Sequence, residues 1–76
     1  MAPTKYQVTR QMVDSVFSDP KFRKKFLHPR KDRAICGMRL AGGTYADIAK
    51  RYRVSTFYCM EVIRRVARIY TVFLSP

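Results

Sequence analysis

Residues 43–64 read G-T-Y-A-D-I-A-K-R-Y-R-V-S-T-F-Y-C-M-E-V-I-R, and the order of these residue types decides the fold. Thr44 can accept a hydrogen bond from the Asp47 amide, three residues on. The Asp47 carboxylate then lies near the positive end of the helix that follows, an acidic variant of the capping box. A helix over residues 45–52 is predicted, with Ile48 and Tyr52 one turn apart on its inward side and Ala49 small enough for a second helix to cross closely. Residues 52–54 form a turn, and Ser55 caps a long final helix. In that helix Cys59, Val62, Val66, Ile69 and Phe73 step by three or four, one apolar stripe.

Three shorter helices are predicted upstream. Met12, Val13, Val16 and Phe17 share a face over residues 9–18. Ser18-Asp19-Pro20 restarts the chain, with Asp as a cap and Pro at the first helical position, and a helix over residues 20–27 points Phe22 and Phe26 inward. Its other face, Lys21, Arg23, Lys24 and Lys25, is either a phosphate contact or a solvated surface. His28-Pro29 restarts again, opening a helix over residues 29–41 with Asp32 in its dipole-favoured first turn and Ala34, Ile35, Met38 and Ala41 as the apolar stripe. Gly37 inside it costs roughly 1 kcal/mol relative to Ala, which close packing against a neighbouring helix would explain. Gly42-Gly43 ends it. Residues 1–8 carry no periodicity and read as a flexible arm, unless Tyr6 and Val8 pack. Residues 9–76 read as one all-α domain, a small bundle of about five helices.

Size and charge restrict function. A chain of 76 residues buries only roughly 60 to 65% of its unfolded surface, which leaves little room for a deep catalytic cleft. Sixteen Lys and Arg against five Asp and Glu give +11, a field that favours polyanions. The cations are spread over several helices rather than gathered on one Leu-rich amphipathic helix, so nucleic acid is expected over a membrane surface. The alternative is a basic but merely solvated surface. One His and no suitably placed pair of carboxylates offer no acid-base machinery, and Gly42-Gly43-Thr44 lacks the spacing of a phosphate-binding loop. Neither an enzyme activity nor a cofactor or small-molecule substrate is expected. Cys36 and Cys59 fall inside apolar patterns and read as buried thiols, too few and too far apart for a structural metal site. Without a signal-peptide pattern or an apolar run near ~20 residues, a cytoplasmic, nucleoid-associated location is expected.

Residues 43–64 resemble the helix-turn-helix DNA-binding family: Ile48, Ala49, Tyr52, Val54, Cys59 and Val62 match its apolar and small positions, and Val54-Ser55 matches the V-S that commonly opens its recognition helix. Extended back to Arg33, about half the chain is similar to region 4 of bacterial sigma factors and to the DNA-binding tails of resolvases. The small basic style is that of regulators from phages and mobile elements. Arg53 departs from the family, which often has glycine in the turn.

The resemblance implies sequence-specific binding of double-stranded DNA and a role in transcription regulation, with the helix starting at Ser55 entering the major groove. Carried over by position, Ser55, Thr56, Phe57, Met60, Glu61 and Arg64 are base-facing. Arg64 can read guanine bidentately and Phe57 or Met60 can meet a thymine methyl, whereas Glu61 also stands where it can pair with Arg64 or Arg65. Thr44, Tyr45, Lys50, Arg53, Arg65 and Arg68 lie near phosphates, with Lys24 and Lys25 adding to them. Tyr58 serves either core or backbone contact. The rival expectation is a small protein-binding inhibitor or cofactor of host transcription or defence machinery. The apolar tail, with Tyr70, Phe73 and Leu74, exceeds what one stripe needs and can pair two chains as a homodimer or dock on RNA polymerase or another host protein.

Overall fold

Four side-chain oxygens mark where helices begin. Thr9 accepts from the Met12 amide at 3.2 Å, Asp19 from Lys21 at 2.9 Å, Thr44 from Asp47 at 3.1 Å and Ser55 from Tyr58 at 2.9 Å. Each takes up an amide that has no partner within the helix it opens. A computed structural model describes residues 8–74 as α1 (Arg10–Ser18), α2 (Pro20–Arg23), α3 (Pro29–Leu40), α4 (Tyr45–Tyr52) and α5 (Thr56–Ile69), the last running into a π-helical turn, Tyr70–Leu74. The all-α bundle expected from the periodicities is the one observed, and no strand occurs among the described residues.

α5 is the spine. It packs against α1, α3 and α4, while α3 also packs on α1 and α4. Ile35, Ile48, Ile63, Val13, Val16, Val66, Cys36 and Cys59 are sealed completely from solvent at its centre. Phe17 and Phe26 meet with ring centroids 4.6 Å apart. Val8 is buried in the same core, which draws it out of the arm assigned to residues 1–8. The rest of that arm, residues 1–7 with Tyr6, lies outside the described residues.

Four expectations need correction. α2 stops at Arg23 rather than reaching Leu27, because the chain tightens into turns (Lys25 amide to Phe22 carbonyl, Phe26 amide to Arg23 carbonyl) that still bury Phe26 but leave Leu27 78% exposed. His28, standing before a proline, is also steered away from helical conformation. In α3 the buried positions are Asp32, Ile35 and Cys36; Ala34 and Met38 are half-buried and Ala41 is exposed. Gly37 has no close neighbour, since a Cβ there would meet nothing within 4 Å. In α5 the stripe widens to include Ile63, and Phe73 leaves it, 62% exposed. A π-helical turn closes i→i+5 bonds, so the three-four stepping no longer carries residue 73 to the inner face.

α3 ends in a Schellman arrangement. The Gly42 amide returns to the Arg39 carbonyl and the Gly43 amide to that of Met38, with Gly42 at φ 98°. A Cβ on Gly43 would stand 3.0 Å from the Met38 carbonyl oxygen. These two glycines turn the chain sharply into α4.

Candidate nucleic-acid interface

The junction between α4 and α5 is built by its backbone. Arg53 takes the left-handed conformation, φ 58° and ψ 46°, and its amide bonds to the Ala49 carbonyl. The Val54 amide returns to the same carbonyl at 3.0 Å. Arg53 therefore supplies the left-handed residue that ends α4 and turns the chain into α5. Ile48 and Ala49 are buried and Tyr52 is half-buried against the core.

With Cys59, Val62, Ile63, Val66 and Ile69 turned inward, helical geometry places Phe57, Arg64 and Arg68 along the outer crest of α5. All three are exposed, Phe57 by 67%. Ser55 and Thr56 are exposed at the start of the helix, and Met60 and Glu61 are half-buried. Glu61 accepts from Arg64 at 3.1 Å across one turn. Arg64 is exposed and Glu61 half-buried, and a pair this open to solvent contributes little to stability.

One shoulder of α5, carrying Tyr58, Glu61 and Arg65, faces the chain between α2 and α3. The Tyr58 hydroxyl donates to Asp32 Oδ1 at 2.7 Å, and the His28 amide donates to Asp32 Oδ2 at 3.4 Å. Asp32 is thus a buried tie between α3 and α5, only 1% exposed, rather than simply a partner of the helix dipole. Burial, with the hydrogen bond to Asp32 and its charge, pushes the Tyr58 hydroxyl up to about 12. That hydroxyl is committed inward, which favours the core contact of the two expected for Tyr58. Arg65 donates to the Lys25 carbonyl at 2.7 Å and lies 5.9 Å from the Phe26 ring centre, holding the exit of α2 on α5. Phe26, Leu27, Asp32, Tyr58, Val62 and Arg65 help to line a largely apolar hollow of ~210 Å³ on this shoulder.

Of the other positions assigned to phosphates, Thr44, Lys50, Arg53, Arg68, Lys24 and Lys25 are exposed. Tyr45 is half-buried beneath the Arg39 guanidinium, 4.3 Å from its ring centre. Arg65 brings Lys24 and Lys25 to the flank of α5. Tyr70 and Leu74 pack against the core, so the apolar surface left outside at the tail is Val72 and Phe73, with Phe73 against Phe22 at 5.5 Å.

The sequence reading passed over Arg30 and Lys31. Lys31 Nζ lies 5.8 Å from the Tyr58 ring centre, beside the shoulder of α5. The signal was present: two cations in the first turn of a helix oppose its dipole. Cys36 is buried, and desolvation followed by the Asp32 charge raises its thiol to about 12; burial raises Cys59 as well. Neither is a ready nucleophile. No group of three or more His, Cys, Asp and Glu able to hold a metal occurs among the described residues, and no described helix is long and apolar enough to cross a membrane. Comparison with protein families, curated proteins and solved structures finds no match.

Proposed function

We propose that this protein binds double-stranded DNA sequence-specifically and regulates transcription, with α5 entering the major groove from Ser55 onward. The observation that carries the proposal is the division of α5: five inward side chains anchor it in the core while Ser55, Thr56, Phe57 and Arg64 lie on its exposed surface. A helix whose first turns are exposed and whose opposite face is held rigidly can reach base edges. The net charge of +11 supplies attraction to the backbone, and the likeness of residues 43–64 to helix-turn-helix proteins supports the same reading. Met60 and Glu61 border the exposed surface, Glu61 acting chiefly on Arg64. Such a regulator would work beside the nucleoid. Selection from random duplexes tests it: enrichment of one shared sequence is expected, and a pool that stays random after repeated rounds defeats it.

A second reading, a small protein directed at host transcription or defence machinery, draws on the exposed Leu27, Val72 and Phe73. It predicts a stable complex with RNA polymerase or another host protein at salt concentrations that abolish DNA binding. The same tail residues suit a homodimer.

A further inference from the structure

The junction of α2 and α3 carries a cationic surface that the folding of the chain does not explain. Arg30 and Lys31 occupy the first turn of α3, at the helix end where the backbone amides already concentrate positive charge and where a cation is unfavourable. Arg23, the last residue of α2, faces the same region: Arg23, Pro29 and Arg30 line two adjoining clefts, an open one of ~530 Å³ that also includes Lys31 and a smaller one of ~180 Å³ that also includes Arg33. The carboxylates bonded to or next in sequence to residues of this region, Asp14 and Asp32, are directed to other groups. Asp14 pairs with Arg33 at 3.2 Å, and Asp32 is turned inward to the Tyr58 hydroxyl. No ion pair of Arg23, Arg30 or Lys31 occurs among the described residues. The surface is also fixed in place relative to α5. Lys31 lies over the Tyr58 ring, Tyr58 is bonded to Asp32 in the next position of α3, and Arg65 grips the Lys25 carbonyl just after Arg23.

We infer that Arg23, Arg30 and Lys31 form a phosphate-binding patch that grips the backbone of the duplex whose groove receives α5. The inference rests on the DNA-binding reading and extends it to a surface outside residues 43–64. A phosphate diester suits the patch chemically. It brings negative charge to Arg23, Arg30 and Lys31 on the outer side of the first turn of α3, where the one acidic residue of that turn, Asp32, is directed inward to Tyr58. Because the Asp32–Tyr58 bond couples α3 to α5, the patch and the crest of α5 would engage one duplex as a single rigid surface.

The test is the dependence of duplex affinity on salt for the full-length chain. Removing one cation from a phosphate lowers the slope of log K against log salt by roughly 0.9. Arg30→Ala/Lys31→Ala, checked for helicity and unfolding midpoint, is expected to lower the slope by about 1 to 2. It should weaken a selected duplex and a scrambled one by the same factor, leaving sequence preference intact. Arg30→Lys/Lys31→Arg keeps both charges and is expected to keep the slope. A folded alanine double variant with the wild-type slope overturns the patch while leaving DNA binding by α5 standing. A wild type that binds no duplex at any salt overturns both.

Discussion

Asp32 and Tyr58 show what one bond between distant residues does. Their side chains meet at 2.7 Å across 26 residues of sequence, and Asp32 is only 1% exposed. Tyr58→Phe leaves a buried carboxylate oxygen without its donor, and a loss of ~1–3 kcal/mol is expected, read as a lower urea midpoint at unchanged slope. The same bond sets an alkaline response. The Tyr58 hydroxyl rises from 10.0 to about 12 and the Cys36 thiol from 9.0 to about 12, so the unfolded chain loses these protons first. The contribution of these two groups to stability is therefore full below pH 9 and is lost as pH rises toward 12; Tyr58→Phe removes part of that loss above pH 10, as urea titrations across this range would show. Arg53 sits at the opposite extreme of burial. A non-glycine residue in the left-handed region costs roughly 1–2 kcal/mol and glycine's extra chain entropy roughly 0.5–1 kcal/mol, so Arg53→Gly is expected to raise stability by ~0–1.5 kcal/mol. The caps at Thr44 and Ser55 were legible because donor and acceptor lie three residues apart. The Asp32–Tyr58 tie was not, because nothing local distinguishes a carboxylate facing the dipole from one buried under another helix.

Helix α5 joins both roles of the fold, and its inner face was read from stepping by three and four. That rule gives Cys59, Val62, Val66 and Ile69 as one stripe, and Ile63, four residues after Cys59 and three before Val66, obeys the same stepping on the stripe's other edge, buried because α5 is enclosed by α1, α3 and α4. Ile63→Ala should therefore cost ~2–5 kcal/mol, a core-sized effect measurable by denaturant unfolding. The rule also carried Phe73 inward, where a π-helical turn sends it out. Sequence periodicity assumes a constant number of residues per turn, and a change of winding is invisible to it. Phe73 lies about 25 Å along the axis from the start of α5, far enough to join two chains without obstructing the crest. If it does so, Phe73→Asp yields a monomer by mass measurement while helicity is retained; a wild type that is monomeric at high concentration rejects the homodimer.

At the scale of the whole molecule, eleven excess positive charges on 76 residues draw the chain to any polyanion, whatever its sequence. In the proposed function charge accounts for attraction and the crest of α5 for discrimination, so the two separate experimentally. Arg64 is the residue on which they separate most clearly, an exposed guanidinium held near Glu61 and able to meet a guanine edge. The affinities of wild type and Arg64→Ala for a selected duplex and for a scrambled duplex of equal length, at one salt concentration, test this most directly. The wild type should prefer the selected duplex by at least ~10³, and Arg64→Ala should lose roughly 5- to 150-fold on that duplex, the equivalent of ~1–3 kcal/mol, with a far smaller loss on the scrambled one. Equal binding of both duplexes by the wild type, or an equal loss on both in the variant, would contradict base reading by α5.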